Sequence, residues 1–337
     1  MMLKKAVFLA NPDNPSIHKV FDETVMERIN RQVEWFPEWI HPDNANNYIS
    51  ELADVEIAFS TWGIPLFTVE ELKAYMPNLK VLFYAAGTVQ RFARNYIARD
   101  CAVVSTWAAN AVPVAEYTVA QILLANKGFY QTFPLYKHNY KEAKALSKEA
   151  FPGNYRARVG ILGAGMIGKK VIELLKPFEI SVEVFDPFLP DAVAAEMGVR
   201  KTDLVDMFTH CDVISNHLAN LPATVGMLNK QHFDLMKPHA TFINTGRGAQ
   251  LVEEDLIHAM REVPTRMALL DVTYPEPVAV DSAFLQLDNV VLTPHIAGSL
   301  GNEVVRMGHY AAEECERYCA GLPLKYAVTL KMLETMA

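Results

Sequence analysis

Residues 159–175 read VGILGAGMIGKKVIELL. A glycine triplet spaced G-x-G-x-x-G says little alone, because glycines recur in ordinary turns; here the flanks decide. Val159 to Leu162 is a strand-like apolar run, and Lys169 to Leu175 continues as a helix. In that setting Gly163 permits the tight turn, Gly165 lets a ligand approach the backbone, and Gly168 lets helix and strand pack closely. The free N–H groups at the helix start, on Met166 and Ile167, then form an anion site of the kind that binds a pyrophosphate. The following run, SVEVF, ends at Asp186, 18 residues after Gly168. A carboxylate there suits the ribose hydroxyls of an adenosine and repels a 2′-phosphate, which favours NAD over NADP. The competing reading of Asp186 is a turn residue before Pro187.

The same alternation of short apolar runs and helical patterns extends in both directions. Downstream, strands are expected at Arg158–Leu162, Val182–Phe185, Val213–Ser215, Thr241–Asn244, Ala268–Asp271 and Val290–Leu292. Upstream they are expected at Ala6–Ala10, Val55–Ser60, Val81–Ala85 and Ala102–Ser105, with a helix at Thr68–Tyr75 capped by Thr68. Buried strands alternating with helices mean βαβ units and parallel sheets, so the fold class is α/β with two doubly wound sheets in series. A long helix is expected from Val114 to about Tyr130. The aromatic and polar stretch Tyr136 to Tyr155, broken at Pro152-Gly153-Asn154, reads as a connection between domains that offers a partner surface. A last helix, Asn302 to Cys319, is expected to return to the first domain.

Composition narrows the class. The chain has 337 residues, 31 Lys and Arg against 39 Asp and Glu, and a formal charge of −8. That length suggests two domains, and the acidic balance argues against a nucleic-acid partner. No apolar run reaches the roughly 18 residues of a membrane helix. The N-terminal run Ala6 to Ala10 is too short for a signal-peptide core and reads as a first strand. Among the four cysteines, Cys315 and Cys319 lie one helical turn apart, but no nearby His completes a metal set. No metal is therefore expected, and reduced thiols in the cytoplasm are.

Three further segments carry chemistry: INTGRG at 243–248, DVTYPEP at 271–277 and LTPHIAG at 292–298. Each follows an expected strand, where α/β sheets present their ligands. Arg247, Glu276 and His295 suit a carbonyl/alcohol redox step. Hydride addition to a ketone leaves negative charge on oxygen, and a histidine neutralises it near neutral pH. A carboxylate fixes the imidazole tautomer. Arginine grips a substrate carboxylate with two hydrogen bonds. Each residue alone reads as structural or solvated; their joint placement after the glycine turn makes the case.

With these residues in hand, the chain resembles the D-isomer-specific 2-hydroxyacid dehydrogenases. N-x-x-R-G is met by Asn244 to Gly248, the glutamate follows Asp271-Val272, and His295 lies in a T-P-H run. The resemblance implies a flavodoxin-like substrate domain, residues 1–107 plus 303–337, and an inserted Rossmann NAD-binding domain, residues 108–302. It implies Arg247 on the substrate's carboxylate and carbonyl, His295 as acid/base and Glu276 as its orienting partner. Thr245 and Asp271 are implied near the nicotinamide, and His217, Leu218 and Gly298 along the cofactor cleft. Ala86 and Gly87, in Ala86-Gly87-Thr88, are implied to hold the substrate carboxylate. Trp62, Phe83 and Tyr84 read first as core aromatics, with Trp62 kept as a substrate-pocket candidate. The implied protein is an NAD-dependent enzyme interconverting a small 2-oxo acid and its D-2-hydroxy acid, a homodimer paired through the nucleotide domain.

The sequence departs from the family pattern in four places. A common G-x-G-x-D-x-x-D loop reads AAGTVQRF, and Pro113 stands before Val114-Ala115-Glu116 where Ser or Thr is frequent. A common H-x-P-L-T reads His217-Leu218-Ala219-Asn220-Leu221, and Met166 replaces a frequent Arg. These mark a divergent subgroup and leave the substrate open. Two alternatives also stay open: a non-catalytic NAD-sensing corepressor or scaffold on the same fold, and a phosphite-type dehydrogenase.

Overall fold

The computed structural model describes residues 3–334. Short runs of Val, Ile, Ala and Phe build its strands because both faces of each sheet are covered; every position of Ile57–Ser60 and Val81–Tyr84 is buried. The chain divides into two compact units. One holds the residues up to Asn110 together with those from Ser299 onward; the other is Ala111–Gly298.

In the first unit, β1 (Lys4–Phe8), β2 (Val33–Trp35), β3 (Ile57–Ser60), β4 (Val81–Tyr84) and β5 (Ala102–Ser105) are parallel in the order β2-β1-β3-β4-β5. This is the flavodoxin-like order. A two-residue strand, Ala327–Val328, closes the β5 edge antiparallel. The helix Val69–Tyr75 starts at a capping box: Thr68 Oγ1 accepts from the Glu71 N–H at 3.1 Å, and Glu71 accepts from the Thr68 N–H at 2.7 Å. The helix Val304–Cys319 packs so closely on this unit that a Cβ at Gly308 would stand 2.1 Å from the Val20 carbonyl oxygen. Its buried Glu314 accepts from the Lys325 and Tyr326 N–H groups and so holds the returning C-terminal strand.

The second unit has β6 (Tyr155–Leu162), β7 (Glu179–Phe185), β8 (Arg200–Lys201), β9 (Val213–Asn216), β10 (Thr241–Asn244), β11 (Met267–Leu270) and β12 (Val290–Leu292). They are all parallel, in the order β8-β7-β6-β9-β10-β11-β12. This is the Rossmann order with one strand added beyond β11, and its direction reverses between β6 and β9, where such sheets bind ligands.

The compact units part at 110/111 and 298/299, against 107/108 and 302/303 in the sequence reading. The expected helix Val114–Tyr130 is corrected. The helix is Trp107–Ala125, with Pro113 inside it rather than at its start. It stops before Gly128, whose φ of +67° breaks it. The supposed connection Tyr136–Tyr155 is also corrected. Its residues up to 149 belong to two helices of the second unit, Phe129–His138 and Tyr140–Glu149, the latter capped by Asn139. Three strands, Val33–Trp35, Arg200–Lys201 and Ala327–Val328, were not anticipated, being two or three residues long. Among the described residues no helix is long and apolar enough to cross a membrane.

Candidate active site

The glycine turn sits at the switch point, between the ends of β6 and β9. Gly163 has φ +88°, and a Cβ there would lie 2.9 Å from the His217 carbonyl oxygen, so only glycine fits. A Cβ on Gly168 would lie 2.0 Å from the Gly163 oxygen, which forces the close helix–strand approach. Gly165 is different: nothing lies within 4 Å of its would-be Cβ. The helix Met166–Leu175 begins there, without a side-chain cap. Its first N–H groups therefore face open space beside a bare backbone, a cradle that fits a pyrophosphate. Asp186, at the end of β7, accepts from the Ala164 N–H at 2.8 Å and from the Phe188 N–H at 2.8 Å. It thus ties the glycine turn to its neighbouring strand and also makes the turn bond foreseen as its competing role.

Next to this turn, His217 is buried. Its Nε2 lies 2.9 Å from Ser215 Oγ and its Nδ1 3.3 Å from Thr245 Oγ1. Burial pushes its pKa down to about 3, so the ring is neutral in ordinary buffers. Leu218 follows it, its carbonyl accepting from Gln250 at 2.7 Å.

Arg247 lies three residues beyond β10, on a loop held by a buried amide knot. Gln250 accepts from the Arg247 N–H at 3.0 Å and from Asn216 Nδ2 at 2.7 Å. Asn244 accepts from the Gly246 N–H and donates to the Arg247 carbonyl at 3.2 Å. A Cβ on Gly246 would stand 2.6 Å from the Gln250 oxygen, and one on Gly248 would stand 2.1 Å from the Thr273 carbonyl carbon. The glycines on either side of Arg247 are therefore steric requirements. Burial lowers the pKa of the guanidinium, while the charge of Glu276 raises it, so the two side chains feel each other.

Glu276 and His295 meet directly: His295 Nδ1 is 2.5 Å from Glu276 Oε1. Both side chains stay open to solvent, His295 at 46% and Glu276 at 42%. Among the described residues no protein group bonds His295 Nε2. His295 has φ +55°, an uncommon conformation for a non-glycine residue. The buried Asp271 wraps the loop into it. Its carboxylate accepts from Thr293 Oγ1 (2.6 Å) and the N–H groups of Ile296 (2.8 Å) and Ala297 (2.9 Å), and its carbonyl accepts from the His295 N–H (3.1 Å). Gly298 ends this segment and the unit. Thus the second unit by itself pairs His295 with Glu276, and it carries Arg247 within electrostatic reach of that carboxylate.

The residues expected to hold substrate lie in the first unit, described by itself. Ala86 is buried and Gly87 half-buried just past β4. Their carbonyls accept from Ser105 Oγ at 2.9 and 2.6 Å. Among the described residues the N–H groups of Gly87 and Thr88 have no protein acceptor, as a carboxylate-binding turn requires. Phe83 and Tyr84 are core, but Trp62 is not: it is 38% exposed beyond β3, which corrects the core reading and keeps it as a pocket candidate. The sequence reading missed Gln250 and Asn216, and gave Asp271 no loop-binding role. A buried amide knot carries no periodic signal; the only hint was polar residues sitting at strand ends.

A Rossmann sheet with a pyrophosphate cradle, beside a paired imidazole and carboxylate with an arginine, defines a dinucleotide-binding protein of the hydroxyacid dehydrogenase type. Residues 123–297, just over half of the chain, match the model of the "D-isomer specific 2-hydroxyacid dehydrogenase, NAD binding domain", and the chain belongs to that family. The D-3-phosphoglycerate dehydrogenase of Archaeoglobus fulgidus is 31% identical over 259 residues, 76% of this chain and 48% of that protein. The chain spans about half the length of the curated relatives it matches. A phosphoglycerate oxidoreductase from Rhizobium etli superposes with a TM-score of 0.80 at 23% identity, covering 96% of this chain and 98% of the other. The apo D-mandelate dehydrogenase of Rhodotorula graminis gives 0.79 at 16% identity, covering 97% and 98%. At these identities the structural likeness is one of fold.

Proposed function

We propose that the chain is an NAD-dependent oxidoreductase that interconverts a small 2-oxo acid and its D-2-hydroxy acid. The observation that carries this reading is the His295–Glu276 pair at 2.5 Å, beside an arginine that senses the same carboxylate. A dinucleotide held in the glycine cradle would supply or accept the hydride at the substrate's C2. Arg247 grips the substrate carboxylate and polarises the carbonyl oxygen. His295 gives its Nε2 proton to that oxygen in reduction and takes it back in oxidation. Glu276 holds the Nδ1–H and so fixes the tautomer in which the ring presents Nε2 to the substrate. Gly163, Gly165, Met166, Ile167 and Gly168 hold the pyrophosphate and Asp186 the adenosine ribose, which favours NAD over NADP. Thr245, Asp271, His217, Leu218 and Gly298 shape the nicotinamide end; Trp62, Ala86 and Gly87 meet the substrate. The domain division of the sequence reading belongs to this proposal.

The same reading includes a homodimer formed through the nucleotide unit. Over the helices Phe129–His138 and Tyr140–Glu149, only Ala143 is buried. Phe133 and Tyr136 are 55% and 61% exposed, and Phe129 stacks on Phe133 at 5.4 Å. Such an aromatic face suits a second copy of the chain. Four free cysteines, three of them buried, support a cytoplasmic setting.

The test is NADH oxidation with a panel of glyoxylate, hydroxypyruvate, pyruvate and bulkier aromatic or branched 2-oxo acids, with NAD reduction by phosphite as a separate arm. Turnover of a 2-oxo acid is expected. NADH binding without turnover of any of them, or turnover of phosphite alone, would overturn the reading.

A further inference from the structure

The helix Trp107–Ala125 reaches the loop that carries His295 through Tyr117, whose hydroxyl lies 3.2 Å from Thr293 Oγ1. The direction of this bond follows from its neighbour. Thr293 has one hydroxyl proton, and it goes to the Asp271 carboxylate at 2.6 Å, which can only accept. Thr293 therefore accepts from Tyr117, and the chain runs Tyr117 O–H to Thr293 O–H to Asp271. Asp271 in turn takes the Ile296 and Ala297 N–H groups, and its carbonyl takes the His295 N–H. A donor at the head of such a chain polarises and shortens the bonds behind it. The adjacent Thr118, fully buried, lies 3.5 Å from Thr245 Oγ1 in the segment that leads to Arg247. One helical step thus touches both segments.

We infer that Tyr117 is a positioning residue: through Thr293 and Asp271 it holds the strained His295 loop in the geometry that meets Glu276. The inference rests on the proposed redox role of His295 for its catalytic consequence, but its structural claim stands apart from that role. The Tyr117 hydroxyl meets the loop at Thr293 and acts on the rest of it through Asp271.

Amide hydrogen exchange on the whole, ligand-free protein tests this. Tyr117→Phe removes only the hydroxyl. It is expected to speed exchange at Ile296 and Ala297 about 2- to 10-fold, the scale of one net hydrogen bond, with strand β9 unchanged. Thr293→Val is expected to do the same, and Thr293→Ser to keep the slow exchange. The double variant Tyr117→Phe/Thr293→Val should exceed Thr293→Val by less than twofold, because both act in one chain. If the panel yields a substrate, Tyr117→Phe should lower kcat by a similar factor with KM for NADH unchanged. Exchange at 296 and 297 that stays at the wild-type rate, or that rises equally across the unit, overturns the inference. A wild-type protein without turnover would overturn the redox reading, and the exchange data would still decide the role of Tyr117.

Discussion

Gln250 is the residue whose replacement most directly tests how the Arg247 loop is built. It is fully buried and makes four hydrogen bonds: it accepts from the Arg247 N–H and Asn216 Nδ2, and donates to the Leu218 and Ala219 carbonyls. Gln250→Leu keeps a side chain of similar size and removes all four. The two carbonyls lie on half-buried residues and gain water, but the two donors lose an acceptor inside the protein. A stranded buried group costs about 1–3 kcal/mol. Asn216 keeps its second acceptor, Asn244, at 3.0 Å, which places its cost at the low end. The sum is about 3 kcal/mol of stability. If half of that appears as misplacement of Arg247, turnover falls about tenfold at about 1.4 kcal/mol per decade. Equilibrium urea unfolding followed by circular dichroism, with steady-state rates on the best substrate of the panel, measures both. A variant with wild-type stability and wild-type kcat would refute the view that this knot sets the arginine.

Three further outcomes follow from the same geometry. The buried His217 has its pKa depressed from about 6.5 to about 3, so between those values the unfolded chain binds more protons and stability falls as pH falls. From pH 6.5 to 5 the loss is about 2 kcal/mol. His217→Asn should flatten that part of the stability profile, and an unaltered slope would contradict the buried neutral ring. Asp186→Ala removes the anchor of the Ala164 N–H as well as the proposed ribose contact. It should weaken NAD about tenfold by calorimetric titration and narrow the preference over NADP, and an unchanged ratio would count against that contact. The proposed homodimer predicts dimers in sedimentation for the unaltered chain and monomers for Phe133→Asp with Tyr136→Asp; dimers in both would contradict the proposed interface.

Much of the fold is legible in the sequence. Parallel sheets follow from strand runs that are apolar throughout, because burial on both faces removes the alternation. The glycine turn was legible because steric exclusion, at Gly163 and Gly168, leaves glycine as the only solution. Arg247, Glu276 and His295 stand out as candidates in the sequence because each follows a strand end, and the fold pairs two of them, Glu276 and His295. Elements fixed by tertiary contact were not. Pro113 reads as a helix start, but it lies within the helix Trp107–Ala125. The helices after Gly128 bury almost nothing in this chain, so no apolar stripe announced their boundaries. Gln250, Asn216 and Tyr117 matter through hydrogen bonds to residues distant in sequence, and no spacing rule encodes such bonds.

The proposed reaction depends most on the imidazole at 295 moving the proton. His295→Ala, assayed with NADH and the best 2-oxo acid while NADH binding is followed by fluorescence, examines that step alone. A loss of at least about 100-fold in turnover with binding held within about twofold is the predicted result. Turnover within a few-fold of the unaltered chain would contradict it.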